Sequence, residues 1–172
     1  MPRGIIRKEE VLDSWSILIE NGKGKADEIF KETEKFLLES KAPNIEIERK
    51  EMAPGIIKRL LGEKRNFLVV KNKGLFRYQI LIGARDYGNN LDISWYLTYK
   101  LSFLEILLSL FRFGRAAIRS SADLDLFEQQ DLIAFATNCH HSLLKAVEKL
   151  MLSLNQDPSK IDRKSKGFLG VS

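Results

Sequence analysis

Cysteine and histidine are scarce in this 172-residue chain: one cysteine, Cys139, and two histidines, His140 and His141, all adjacent. A lone cysteine excludes an internal disulfide, so oxidising conditions are not required for folding. Metal sites need several His, Cys or carboxylate ligands converging on one ion. Three consecutive helical residues point about 100° apart and cannot do so. Neither histidine has a His, Asp, Glu or Cys neighbour at three or four residues' distance. The sequence therefore predicts that Cys139 packs in an apolar seam, that His140 borders it and that His141 faces outward. A seam thiol is an inert one, and no metal and no cofactor is expected.

Long apolar runs are also missing. The longest, Phe103 to Phe111, is interrupted by Glu105 and is too short to span a bilayer. The first ten residues are charged and carry no apolar signal core, which sets the expectation of a cytoplasmic protein. There is no Gly-x-Ser-x-Gly, no phosphate-cradling glycine loop and no His-Glu-x-x-His. Carboxylates are plentiful but scattered among lysines, as on solvated faces, so the leaning is towards a protein that is not an enzyme.

What is present is a globular composition, 44% hydrophobic and 30% charged, with a net charge of +5. That charge is uneven: the region 44–100 is basic and 123–154 acidic. An anionic partner is permitted by this asymmetry, not demanded.

The hydrophobic periods predict an α+β domain over 1–155, with a mostly antiparallel sheet of about four to five strands in the order β-α-β-β-β-β, followed by two helices, the last one long. Ser14 to Glu20 alternates as a strand, and Lys25 to Lys41 is amphipathic at helical spacing and stopped by Pro43. Asn44 to Met52 reads as an edge-leaning strand, and Phe67 to Lys71 as a short one. Ile56 to Arg65 suits either one helical turn or a bent strand. Residues 75–100 read as a hairpin. Taking Asn89-Asn90 as its two-residue loop places Ala84 opposite Trp95, Ile82 opposite Leu97 and Ile80 opposite Tyr99, all on one face. Arg77, Gln79, Leu81, Gly83 and Arg85 share the other face with Asp92, Ser94, Tyr96, Thr98 and Lys100, which makes that side mostly polar. Asp125 followed by Glu128 resembles a capping box, opening a helix that runs to about Asn155. Its seam is Leu132, Ala136, Cys139, Leu143, Val147, Leu150 and Leu154. Residues 156–172 read as a basic, mobile tail.

Two surfaces stand out. Segment 102–119 carries a narrow polar stripe, ending in Arg112, Arg115 and Arg119, on an otherwise apolar helix with Phe103, Leu107, Phe111 and Phe113. Such a helix docks onto a protein partner, a second subunit in a homo-oligomer, or peripherally onto an anionic membrane surface. The leading expectation is therefore a non-catalytic protein-interaction module working through this helix. The alternative is a nucleic-acid-binding domain using the basic sheet region 58–100, with Arg77, Arg85, Tyr96 and Lys100 at its centre. A further alternative is an enzyme or small-ligand binder with a pocket between the sheet and the last helix.

Overall fold

The computed structural model describes residues 11–52, 65–100, 124–167 and 171. Segments 53–64 and 102–119, for which helical or strand expectations were set out above, lie outside the described residues. The described elements are β1 (Val11–Ile19), α1 (Ala26–Glu39), β2 (Ile45–Met52), β3 (Arg65–Asn72), β4 (Tyr78–Tyr87), β5 (Asn90–Tyr99) and α2 (Leu126–Ser153). The five strands form one antiparallel sheet in the order β1-β5-β4-β3-β2. This is the expected α+β arrangement, with β2 and β1 at the two edges.

Side-chain alternation divides the sheet into two faces. The inner face carries Trp15, Ile19, Leu68, Val70, Ile80, Ile82, Ile93, Trp95 and Leu97, all buried. Ile29, Phe30, Thr33 and Leu37 of α1 and the predicted seam of α2 close over it. Leu132, Ala136, Cys139, Leu143, Val147 and Leu150 are buried, and Leu154 is half-buried. The helices are tied to each other by an ion pair from Lys149 to Glu32 at 2.7 Å and a bond from Asn138 to Ser40 at 3.1 Å.

The termini of α2 follow from local chemistry. Asp125 accepts the Glu128 amide at 2.8 Å, and the Glu128 carboxylate accepts the Asp125 amide, completing the capping box. At the other end Asn155 takes φ +57°. The Gln156 amide then reaches the Met151 carbonyl, and the Asn155 amide the Leu152 carbonyl, which is a Schellman termination with asparagine in the usual glycine position.

The hairpin keeps its predicted faces but not its predicted register. Tyr87 pairs with Asn90, so the loop is Gly88-Asn89. Ala84 lies opposite Ile93, Ile82 opposite Trp95 and Ile80 opposite Leu97. The reason is Gly88, whose φ of +64° fits the first position of a II′-like turn without steric cost. Sliding by two residues preserves which side chains face the core.

Beyond α2, the segment expected to be a mobile tail instead lies against the domain in its described part. Ile161 and Val171 are buried. The carbonyl of Asp162 accepts the Trp15 indole N–H at 2.6 Å, and Lys166 donates its amide to the Ser14 carbonyl at 2.8 Å on the outer edge of β1. Basic composition concealed an anchored strap.

The strap's chief anchor is Asp13. Asp13 lies opposite Leu97, in the same register as Trp15 opposite Trp95 and so on the inner face, and the ladder turns irregular only beyond it, towards Val11. Its buried carboxylate accepts the Ser14 amide (2.7 Å), the Ser165 hydroxyl (2.9 Å) and the Gly167 amide (2.7 Å). A Cβ at Gly167 would collide with Asp13.

Because the capping box satisfies two helix-end amides, Asp125→Ala is expected to destabilise the domain by about 1 kcal/mol in urea unfolding. An unchanged midpoint would show that the N-terminus of α2 contributes nothing to global stability.

Candidate functional site

The outer face of the sheet is less polar than the hairpin alone implies. Met52, Phe67, Val69 and Leu81 form a second buried cluster, with Tyr96 packed against it. These residues stand on the side of the sheet away from α1 and α2. The run Phe67-Leu68-Val69-Val70 is the sequence signal for this, since an uninterrupted apolar strand buries both of its faces.

Beside that cluster opens a cleft of about 370 Å³. Gly83 makes its floor, Phe67 and Tyr96 its apolar walls, and Arg65, Arg85, Asp92 and Ser94 its polar rim. Gly83 pairs with Phe67 on one side and Ser94 on the other. The Phe67 ring covers the glycine so closely that a Cβ there would come within 2.9 Å of it. Arg85 donates to Asp92 across the hairpin at 2.9 Å, and its guanidinium stands 5.6 Å from the centre of the Tyr87 ring. Arg65 is exposed and makes no ion pair or hydrogen bond among the described residues. Chemically the cleft offers guanidinium, hydroxyl and phenol donors around an apolar floor, an arrangement suited to holding an anionic group attached to an apolar body.

At the other end of this face Lys50, Lys71 and Lys100 gather near Glu48. Lys71 and Lys50 (2.9 Å) both donate to the Glu48 carboxylate, and these bonds hold its pKa down to about 2. Partial burial, followed by repulsion from Lys71 and Lys50, lowers the pKa of Lys100.

Arg85 and Tyr96, taken from the sequence as nucleic-acid candidates, both line the cleft. Arg77 does not. It donates to the Tyr99 hydroxyl at 2.7 Å and lies by the Phe76 ring, about 26 Å along β4 from Arg85 at strand rise. Lys100 belongs to the lysine group rather than the cleft. Phe103, Leu107, Phe111, Phe113, Arg112, Arg115 and Arg119 lie outside the described residues. The cleft lies on the face of the sheet opposite the one that α2 covers.

The Cys139-His140-His141 run has a structural explanation. Cys139 is buried, and burial pushes its thiol pKa far upward. His140 is fully buried rather than bordering the seam. Its Nδ1 accepts the Trp95 indole N–H at 2.8 Å, and its Nε2 lies 2.7 Å from the Arg163 carbonyl. The first bond assigns the proton to Nε2, which donates to that carbonyl. Trp15 and Trp95 meet the imidazole edge-on, at 5.5 and 5.7 Å between ring centres. Both nitrogens are thus engaged within the fold. His141 faces outward as expected.

Compared with protein-family models, with curated proteins and with solved structures, the chain matches none. Among the described residues no helix is long and apolar enough to cross a membrane.

Gly83→Ala is expected to push the Phe67 ring towards the cleft and cost about 1–3 kcal/mol in denaturant unfolding. Stability equal to that of the parent chain would mean that Phe67 relaxes freely and the floor is not tightly built.

Proposed function

We propose that the chain is a non-catalytic protein-interaction module that docks an acidic segment of a partner protein on the outer sheet face, seating a carboxylate-bearing side chain in the cleft. One observation carries this reading: an apolar cleft whose rim holds an exposed arginine, Arg65, that no side chain among the described residues pairs. Charge complementarity selects the partner. Lys50, Arg65, Lys71, Arg85 and Lys100 outnumber Glu46, Glu48 and Asp92 on that face. A guanidinium that no described carboxylate engages gains most from one supplied by a partner. The apolar arc expected for 102–119 belongs to the same proposal on sequence grounds alone, since that segment follows Lys100 almost directly.

The lysine group favours a second reading, in which the same face holds nucleic acid. Retention of single-stranded nucleic acid that weakens steeply with added salt would favour this reading over the first.

Selection of a displayed random-peptide library against the whole chain tests the proposal. Recovered peptides should be rich in Asp and Glu, and Arg65→Glu should weaken them by about tenfold or more while leaving unfolding unchanged. Peptides without acidic bias, or binding indifferent to Arg65→Glu, would remove the cleft as the docking point. Light scattering and flotation with anionic vesicles, on the parent chain and on Phe111→Asp, report separately on 102–119. Self-association or vesicle binding lost in Phe111→Asp supports that segment as a contact surface. A monomer that ignores lipid overturns its membrane and homo-oligomer forms.

A further inference from the structure

We infer that the strap, residues 161–167, is a pH-sensitive latch: neutral His140 holds it shut, and protonation of His140 releases it from β1 without unfolding the sheet. The strap meets the domain through the Arg163–Glu148 ion pair and through hydrogen bonds at three places. The Arg163 carbonyl accepts His140 Nε2–H, the Asp162 carbonyl accepts Trp15 Nε1–H, and Ser165, Lys166 and Gly167 bind Asp13 and Ser14. The first of these bonds is the only one centred on a group that titrates near neutral pH.

Nδ1 of His140 is the acceptor for the Trp95 indole. A proton added there meets another N–H at 2.8 Å, so the charged ring cannot keep both bonds. The imidazolium must either leave its site between the two tryptophans or lose its contact with the sheet. The bond to the Arg163 carbonyl taken alone favours the imidazolium, but the Trp95 indole is fully buried in the sheet, so it is the ring that must turn, and turning carries Nε2–H off that carbonyl.

The charged neighbours come from each packed element. From the strap, the Arg163 carbonyl favours the imidazolium and the Arg163 charge disfavours it; His141 from α2 disfavours it, Asp13 from β1 favours it, and β5 contributes the neutral Trp95 indole. Arg163 is itself held by Glu148 of α2. Burial is the largest influence and lowers the pKa of His140. The sign follows. With the folded value depressed, the latch is fully closed above the ordinary value of 6.5 and is weakened progressively as pH falls from there towards the depressed one.

Release bares the edge of β1. Ser14 points its backbone amide and carbonyl away from β5, and in the closed state these are satisfied by Asp13 and by Lys166. An opened strap leaves an unpaired edge strand able to accept another strand.

Amide exchange measured by NMR on the whole chain, from about pH 8 to about pH 5, tests the latch. After correction for intrinsic rates, protection of the Lys166 and Gly167 amides should fall by up to about tenfold per pH unit below the ordinary histidine range. Amides in the centre of β4 should hold their protection over the same range. His140→Gln, which can accept and donate but cannot titrate, should abolish the pH dependence. Gly167→Ala should open the strap at every pH. Strap and β4 amides that lose protection together would overturn the inference, as would strap protection that is flat with pH in the parent chain. A pH dependence that persists in His140→Gln would place the switch on another group and equally overturn it. Should His140→Gln not fold, the comparison of strap with β4 in the parent chain still decides between local and global opening.

Discussion

The imidazole of His140 joins three parts of the chain that are far apart in sequence. It accepts from Trp95 in the sheet, donates to Arg163 beyond α2, and rests edge-on against Trp15 of β1. A buried polar ring is costly unless each nitrogen is bonded, and here each is. The pairing is directional as well as stabilising. A leucine in the same space could fill volume, but it could not fix which carbonyl of the strap sits over the sheet. Position along β1, depth of α2 over the inner face and path of the strap are therefore set at one point.

The two faces of the sheet divide the work. The inner face, with both tryptophans, is committed to the helices and the strap. The outer face has its own apolar cluster and a cleft lined by Gly83, whose missing side chain makes room for the Phe67 ring. The cations there differ in availability. Arg85 is engaged by Asp92, Lys71 and Lys50 by Glu48, and Arg77 by Tyr99. Arg65 is not so engaged among the described residues. A surface charge already satisfied within the fold has less to offer a partner than one that is not.

Legibility in the sequence followed the range of the interactions. The capping box of Asp125 and Glu128 is three residues long, and it was visible at once. So were the seam of α2 and the parity of the hairpin, which depend on periods of a few residues. The hairpin register was missed by two because Gly88-Asn89 and Asn89-Asn90 are both plausible loops, and parity alone cannot separate them. The strap was missed for another reason. Lys160, Arg163, Lys164 and Lys166 look like a solvated tail, yet the strap is held mainly by backbone carbonyls and amides, which composition does not record. The cleft needed three strands to be aligned before Arg65, Gly83 and Ser94 could be seen as neighbours.

The strand order has a kinetic consequence. β2, β3, β4 and β5 form a meander of sequence neighbours, whereas among the described strands β1 pairs only with β5, across about half of the chain. Closing such a large loop is entropically expensive until the surface that rewards it exists. The meander can form first from local contacts, and β1 is then added as its fifth strand. The strap, which needs β1 and α2 both in place, is the last piece to be threaded home, and so the first whose loss the sheet can survive.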